Sequence, residues 1–145
     1  MSDQGWRPFA GSSLTILHTD DDPMNLRVVR EILTAFGHTS RQALSGREAL
    51  DHLGREAFDV VLMDIHMPAM SGIEVVRRLR ASVGPERLVP VIALTADVLS
   101  RTRAEYLALG FNDFVSKPIL VSRLIQSIAR AASTPVRPIG RTATG

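Results

Sequence analysis

Short apolar stretches alternate with amphipathic helical patterns along the chain, and this alternation restricts the fold more than any other feature. Three stretches are rich in aliphatic and β-branched residues: Leu14 to Thr19, Val60 to Met63 and Val89 to Leu94. Such continuous runs are typical of strands that are buried on both faces. Weaker strand signals lie at His38 to Ala43 and Phe111 to Ser116. The pattern predicts an α/β fold, a parallel sheet with helices on both sides.

A signal that starts a helix follows each predicted strand. Two of the helices also have a glycine as their stop signal, at Gly37 and, after Leu109, at Gly110. Because a strand and a helix then alternate five times, the sequence predicts a doubly wound sheet. The first helix is predicted to start at the capping residue and proline Asp22-Pro23, and the fifth after Pro118. Capping boxes, Ser45 with Glu48 and Ser71 with Glu74, start the second and third helices. The fourth helix is predicted to start at about Val98.

Length and composition limit the number of domains and the functional class. A chain of 145 residues, 45% of them hydrophobic, fits one domain, expected over residues 14–132 with flexible tails at residues 1–13 and 133–145. There is no cysteine, no apolar run of membrane-spanning length and no signal-peptide layout. We therefore expect a cytoplasmic protein that binds no membrane. A net charge of +2 gives no strong basic footprint for nucleic acid.

Polar groups that can do chemistry follow four of the five predicted strands. Asp20 and Asp21 follow the first strand, Asp64 the third, Thr95 the fourth and Lys117 the fifth. Because parallel strands end at one edge of a sheet, these side chains are expected to converge there. Clustered carboxylates repel unless a cation compensates, and Mg²⁺ suits such oxygen ligands while leaving room for a phosphoryl group. A carboxylate can then be the nucleophile. A solvated, helix-capping loop is the alternative for the aspartate run.

Almost all basic residues of the chain are arginine. Sixteen of the 17 are arginine, and the single lysine is Lys117. An ammonium is a compact point charge, which a planar guanidinium cannot replace, so a lysine at this one position favours a functional role. Chance is the alternative, and one residue leaves both interpretations open.

Four motifs, in order and correctly spaced, resemble the receiver domain of two-component response regulators from about Leu14 to Ala132. The resemblance implies a flavodoxin-like, five-stranded parallel sheet of order 2-1-3-4-5 with five helices. Within this family, the chain most resembles stand-alone receivers and the receivers of hybrid histidine kinases and phosphorelays. The motifs are ILHTDDDPMN at residues 16–25, VVLMDIHMPAMSG at 60–72, VIALTA at 91–96 and GFNDFVSKP at 110–118.

The resemblance assigns the phosphoryl-accepting and metal-binding positions. Asp64 matches the phosphoacceptor of the family, and Asp21 matches its direct Mg²⁺ ligand. Asp20 matches the acidic residue that acts through metal-bound water, and the backbone carbonyl of His66 matches a further ligand. These roles are what the family implies for this chain, with Mg²⁺ as the cofactor.

The resemblance also implies a switch. Lys117 matches the lysine that contacts the phosphoryl group, and the Lys117-Pro118 bond is typically cis in this family. Thr95 matches the hydroxyl that moves toward the phosphoryl group, and Phe114 the aromatic residue whose burial follows. The surface of the fourth helix, fifth strand and fifth helix would then change its affinity for a downstream effector.

Four residues depart from the commonest family pattern or occupy variable positions. His18 and Thr19 place polar groups in a central strand, where each needs a partner. His66 and Asp97 lie two residues after Asp64 and Thr95, beside the phosphoryl position. We hypothesise that they tune the hydrolysis of the acyl phosphate; plain solvent-exposed side chains are the alternative.

The sequence thus predicts a signalling receiver that takes a phosphoryl group from a phosphohistidine kinase or phosphotransfer protein. It is not expected to be an enzyme beyond its own phosphorylation and dephosphorylation. Three alternatives stay open: a receiver cut from a longer hybrid kinase, a pseudo-receiver interaction module, and a metal-dependent phosphatase. Against the phosphatase, His66 stands where that chemistry commonly has a second carboxylate. Homodimerisation on phosphorylation is also open.

Overall fold

A computed structural model of the chain describes residues 13–97 and 99–133, so both predicted tails lie almost entirely outside the described residues. Five parallel strands form one sheet in the order β2-β1-β3-β4-β5, which confirms the predicted topology. Within the described residues, no helix is long and apolar enough to cross a membrane. The elements in chain order are β1 (Thr15–Thr19), α1 (Pro23–Ala35), β2 (Thr39–Ala43), α2 (Gly46–Arg55), β3 (Val60–Asp64), α3 (Gly72–Arg80), a 3₁₀ helix (Pro85–Leu88), β4 (Val91–Thr95), α4 (Arg103–Leu109), β5 (Asp113–Ser116) and α5 (Val121–Ser133).

The sheet separates two hydrophobic cores, because alternate residues of each strand point to opposite faces. Leu17 and Val61 face a core that α2, α3 and α4 complete, whereas Ile16 and Leu62 face a core completed by α1 and α5. Every residue of β3 and β4 is buried. Burial on both faces explains why these strands are continuous apolar runs in the sequence.

The two predicted capping boxes form only in half. The hydroxyls of Ser45 and Ser71 cap their helices by accepting a hydrogen bond from the third helical residue. Glu48, however, accepts from the backbone of Leu44, and Glu74 binds two arginines of its own helix instead. The glutamate side chains that could complete the capping boxes thus have other donors nearby, and they bind those donors instead.

Helix α4 begins at Arg103 rather than near Val98, so this prediction was wrong by about one turn. Thr102 and Glu105 form the complete capping box, with each side chain accepting from the backbone N–H of the other residue. This pair satisfies two N–H groups that would otherwise lack partners, which fixes the start of the helix. Its end at Gly110 is as predicted, in the left-handed region at φ 111°.

Two polar side chains of β1 are buried without hydrogen-bond partners among the described residues. Both ring nitrogens of His18 and the hydroxyl of Thr19 lack a partner, although each residue is at most 1% exposed. Burial lowers the pKa of His18 to about 4. The charge of Lys117 also lowers this pKa, whereas the charge of Asp20 raises it. His18 is therefore neutral at pH 7, and the expectation that these groups find partners was wrong.

Replacing Thr19 with valine is expected to stabilise the protein. Valine has nearly the same shape and lacks the unsatisfied hydroxyl, so the free energy of unfolding should rise by about 1 kcal/mol. Urea denaturation of Thr19→Val beside the wild type measures this change. The matched control is Thr95→Val, whose hydroxyl accepts a hydrogen bond and whose loss should not stabilise. A loss of stability in Thr19→Val would show that the hydroxyl is satisfied in the folded protein.

Candidate functional site

The predicted residues converge at the carboxyl edge of the sheet. The carboxylates of Asp20, Asp21 and Asp64 each offer an oxygen within 4.8 Å of the others. Asp20 and Asp64 are almost completely buried, whereas Asp21 is exposed. The carboxyl ends of β1 and β3 therefore form an acidic pocket with one side open to solvent.

Close packing of α3 against the end of β3 fixes the position of Asp64. A Cβ atom on Gly72 would lie 2.3 Å from the carbonyl oxygen of Asp64, so only glycine allows this approach. The N–H of Gly72 donates to the carbonyl of Ile65 at 2.9 Å, which holds the helix start beside the strand. The carboxylate of Asp64 thereby stands on rigid backbone.

Lys117 joins the two buried carboxylates. Its Nζ lies 3.2 Å from Oδ1 of Asp64 and 3.4 Å from Oδ2 of Asp20, with the lysine side chain 23% exposed. Its backbone N–H donates to the carbonyl of Thr95 at 2.8 Å, and the peptide bond to Pro118 is cis. The cis bond confirms the expectation drawn from the family resemblance. The single lysine of the chain thus contacts both buried acids.

Asp20 is held by groups of its own loop and of α1. Its Oδ1 accepts from the backbone N–H of Asp22 at 2.9 Å, and its Oδ2 accepts from the side-chain amide of Asn25 at 3.2 Å. The sequence analysis did not assign a role to Asn25. Its position on the first turn of α1, next to the aspartate run, is the signal that would have placed it here.

The electrostatics of the cluster favour a cation. Burial raises the pKa of Asp64, and the charge of Asp20 raises it further, while Lys117 acts in the opposite direction; the net shift is upward. One ammonium therefore does not fully offset the cost of burying the Asp64 carboxylate. Asp20, Asp21 and Asp64 fit Mg²⁺, which prefers hard oxygen ligands and near-octahedral sites completed by water and phosphate oxygens.

Thr95 and Phe114 lie on the neighbouring strands β4 and β5. Thr95 is 1% exposed, and its Oγ1 accepts a hydrogen bond from the N–H of Asp97 at 3.0 Å. The ring of Phe114 is half-buried and stacks on Tyr106, with centroids 5.0 Å apart and an interplanar angle of 21°. Tyr106 also packs edge-on against Phe111. The stack joins β5 to α4, and its tyrosine was not identified from the sequence.

His66 and Asp97, the two predicted tuning residues, both have exposed side chains. The backbone N–H of His66 lies 3.4 Å from Oδ1 of Asp64, at the long end of hydrogen-bond distances. The structure therefore brings the His66 backbone to the acidic cluster. The roles of its carbonyl as a metal ligand and of both side chains in tuning stay predictions.

Comparison with known proteins identifies the family that shares these features. A family model described as the response regulator receiver domain matches residues 16–129. The aerobic respiration control sensor protein ArcB of Escherichia coli is 36% identical over 118 residues, which cover 81% of this chain and 15% of ArcB. Sensor protein GacS of Pseudomonas syringae is 30% identical over 132 residues, 90% of this chain and 15% of GacS. The chain thus spans a small part of these relatives.

Solved structures give the same result. The receiver domain of sensor histidine kinase PA1611 from Pseudomonas aeruginosa, with a magnesium ion in its active site cleft, superposes with a TM-score of 0.77 at 31% identity. That alignment covers 85% of this chain and all of the PA1611 domain. The chemotaxis protein CheY4 of Vibrio cholerae superposes with a TM-score of 0.75 at 27% identity, covering 83% of this chain and 99% of CheY4.

Proposed function

The chain belongs to the response regulator receiver domain family, as its four motifs predicted, and on this premise we propose that Asp64 accepts a phosphoryl group from a phosphohistidine. The donor would be a histidine kinase or a histidine phosphotransfer protein, and the reaction would take place in the cytoplasm. The observation that carries this proposal is the buried carboxylate of Asp64, 3.2 Å from the ammonium of Lys117 and next to Asp20 and Asp21.

The proposed transfer is a displacement at phosphorus. An oxygen of the Asp64 carboxylate forms a bond to phosphorus while the bond from phosphorus to the donor imidazole nitrogen breaks. The imidazole keeps the bonding electrons and takes up a proton from solvent. Asp20, Asp21, Asp64 and the carbonyl of His66 would hold Mg²⁺, which supplies neutralisation of negative charge when bound. Lys117 supplies a second, fixed positive charge beside the nucleophile.

The phosphorylated state would be transmitted through Thr95 and Phe114. The Thr95 hydroxyl can turn from the N–H of Asp97 toward a phosphoryl oxygen on Asp64, and the space it leaves favours burial of Phe114. Because Phe114 stacks on Tyr106, this movement reaches α4. The surface of α4, β5 and α5 would then bind a downstream effector differently in the two states.

The alternatives differ from this proposal in what the residues must do. A pure interaction module has no need for two buried carboxylates, a buried threonine and the only lysine at one sheet edge. A phosphatase that works through an aspartyl phosphate commonly uses a second carboxylate two residues after the nucleophile as its general acid, and this chain has His66 at that position. A receiver within a longer sensor kinase would use the same site. The matched sensor proteins ArcB and GacS are much longer than this chain, which covers 15% of each.

Intact mass spectrometry with a small acyl-phosphate donor tests the proposal directly. In the presence of Mg²⁺, the wild type should gain one labile phosphoryl group, and Asp64→Asn should gain none. Chelation of the metal should abolish the gain in the wild type. Phosphorylation of the Asp64→Asn variant to the same extent would show that another residue is the acceptor. A wild type that binds neither Mg²⁺ nor a phosphoryl group would favour the interaction module.

Replacing both His66 and Asp97 with alanine is expected to change the lifetime of the acyl phosphate. The two side chains are exposed and lie two residues after Asp64 and Thr95 in the sequence, from where we propose that they orient or obstruct the attacking water. We expect a change of about tenfold in the hydrolysis rate of the phosphorylated, desalted protein, as one positioned group commonly contributes at least this much. The matched control is His52→Ala, on α2. An unchanged lifetime in the double variant would show that neither side chain has a tuning role.

A further inference from the structure

A half-buried asparagine on the first turn of α1 contacts one of the two buried carboxylates of the site. Asp20 is 1% exposed, and each of its oxygens accepts a hydrogen bond from a neutral group. Oδ1 accepts from the backbone N–H of Asp22 at 2.9 Å, and Oδ2 accepts from the side-chain amide of Asn25 at 3.2 Å. Because the two donors hold opposite oxygens, they fix the direction in which the carboxylate faces.

The start of the helix holds the backbone that carries Asn25. Pro23 is the first residue of α1, and the side chain of Asp22 caps the helix by accepting the N–H of Met24 at 3.0 Å. Proline restricts the backbone at this position, and Leu26, directly after Asn25, is buried in the core. The amide of Asn25 therefore stands on a rigid first turn and is directed at Asp20 before any cation binds.

Asn25 shares Oδ2 of Asp20 with the ammonium of Lys117. Nζ of Lys117 lies 3.4 Å from this oxygen and 3.2 Å from Oδ1 of Asp64. A cationic donor cancels the charge of a carboxylate, whereas a neutral amide orients it and leaves the negative charge of the cluster intact. Without the amide, the carboxylate can turn onto the ammonium, and this closer ion pair would compete with a bound cation. A neutral donor thus suits a carboxylate whose charge a cation needs.

We propose that Asn25 is a positioning residue for the divalent cation: by holding Oδ2 of Asp20, it keeps this carboxylate charged and directed toward Asp21 and Asp64. The inference rests on the proposed function, because it names a further residue on which the metal site of that function depends. Asn25 would act only through Asp20, without contact to the cation. Groups that hold metal ligands from outside commonly contribute about tenfold or more to metal affinity.

Titration of the ¹⁵N-labelled full chain with Mg²⁺, followed by NMR without any phosphoryl donor, tests this role through binding alone. Asn25→Leu, which has nearly the same shape but no donor, should weaken Mg²⁺ binding by about tenfold. Asn25→Ala also removes the donor and should give a similar loss, which separates the missing amide from any packing effect of leucine. Asn25→Gln keeps an amide and should recover part of the affinity.

Gln42→Leu is the matched control. Gln42 is half-buried like Asn25, and its amide donates to the hydroxyl of Ser40 at 2.8 Å rather than to a carboxylate of the site. This variant should therefore bind Mg²⁺ like the wild type. Equal weakening in Gln42→Leu and Asn25→Leu would show a general effect of losing an amide and would overturn the inference.

A double-mutant cycle tests whether Asn25 acts through Asp20. In the Asp20→Asn background, adding Asn25→Leu should weaken Mg²⁺ binding by less than about twofold, because the lost contact no longer positions a charged group. A residue that only supports the fold would cause the same fractional loss in both backgrounds. The full tenfold loss in the Asp20→Asn background would therefore overturn the positioning role.

Labelling of Asp64 by the acyl-phosphate donor, measured on the same samples, separates this inference from the proposed function. A wild type that is labelled, together with unchanged Mg²⁺ affinity in Asn25→Leu and Asn25→Ala, would contradict this inference alone. A wild type that binds Mg²⁺ but is not labelled, together with weaker binding in both variants, would contradict the proposed function alone.

Discussion

The Lys117→Arg variant is expected to take up a phosphoryl group on Asp64 about one hundred times more slowly than the wild type, although the net charge is unchanged. The ammonium of Lys117 lies between two carboxylates, 3.2 Å from Asp64 and 3.4 Å from Asp20. A guanidinium is wider and planar, and its preferred bidentate geometry would occupy both oxygens of the nucleophile. Substitution by arginine therefore blocks the attacking atom as well as displacing the charge.

The rate of phosphoryl uptake from a small acyl-phosphate donor, followed by intact mass, measures this effect. Asp64→Asn gives the baseline, and Arg27→Lys is a control for exchange between the two basic residues at an exposed position. Circular dichroism should show that Lys117→Arg is folded. Uptake by Lys117→Arg at the wild-type rate would show that only the charge matters, and that the single lysine of the chain is at this position by chance.

The site was predictable because its geometry follows from topology. Asp20 and Lys117 come directly after a strand, Asp64 and Thr95 are the last residues of theirs, and parallel strands end at the same edge of their sheet. No knowledge of side-chain packing is needed for that step. The three strands predicted from apolar runs, β1, β3 and β4, were right within two residues, since burial on both faces requires continuous apolar runs.

The features that were not predicted depend on contacts between side chains distant in sequence. The stack of Tyr106 on Phe114 and the hydrogen bonds from Arg103 and Arg130 to Asp113 join different elements, and the order of residues does not specify which groups meet. The half-formed capping boxes have a similar cause. A local motif states which groups can pair, whereas the competing donors around it decide whether they do.

A second long-range contact of this kind stabilises the turn that leads into β5. The guanidinium of Arg80, at the end of α3, donates to the carbonyl of Gly110 through Nε at 2.9 Å and through Nη2 at 2.7 Å. Its Nη1 donates to the carbonyls of Arg87 and Val89 at 2.8 and 2.7 Å, and Nη2 also donates to Oδ1 of Asn112 at 3.0 Å. All five contacts go to neutral oxygens. Arg80 thus connects α3, the 3₁₀ helix, the start of β4 and the turn before β5.

Replacing Arg80 with methionine should accordingly lower the free energy of unfolding by about 3 kcal/mol, because partly buried carbonyls lose their donors while the aliphatic stem is kept. Arg80→Lys should recover less than half of the loss, since the three donors of a compact ammonium cannot bind all the oxygens that the planar guanidinium binds. Urea denaturation measures both variants. Arg78→Met is the control on the same helix; its exposed ion pair with Glu74 should contribute at most about 1 kcal/mol. Equal losses in Arg78→Met and Arg80→Met would contradict a specific role for the Arg80 contacts. A selective loss would show that the contacts of Arg80 stabilise the turn before β5, the strand that carries Phe114 and leads to Lys117.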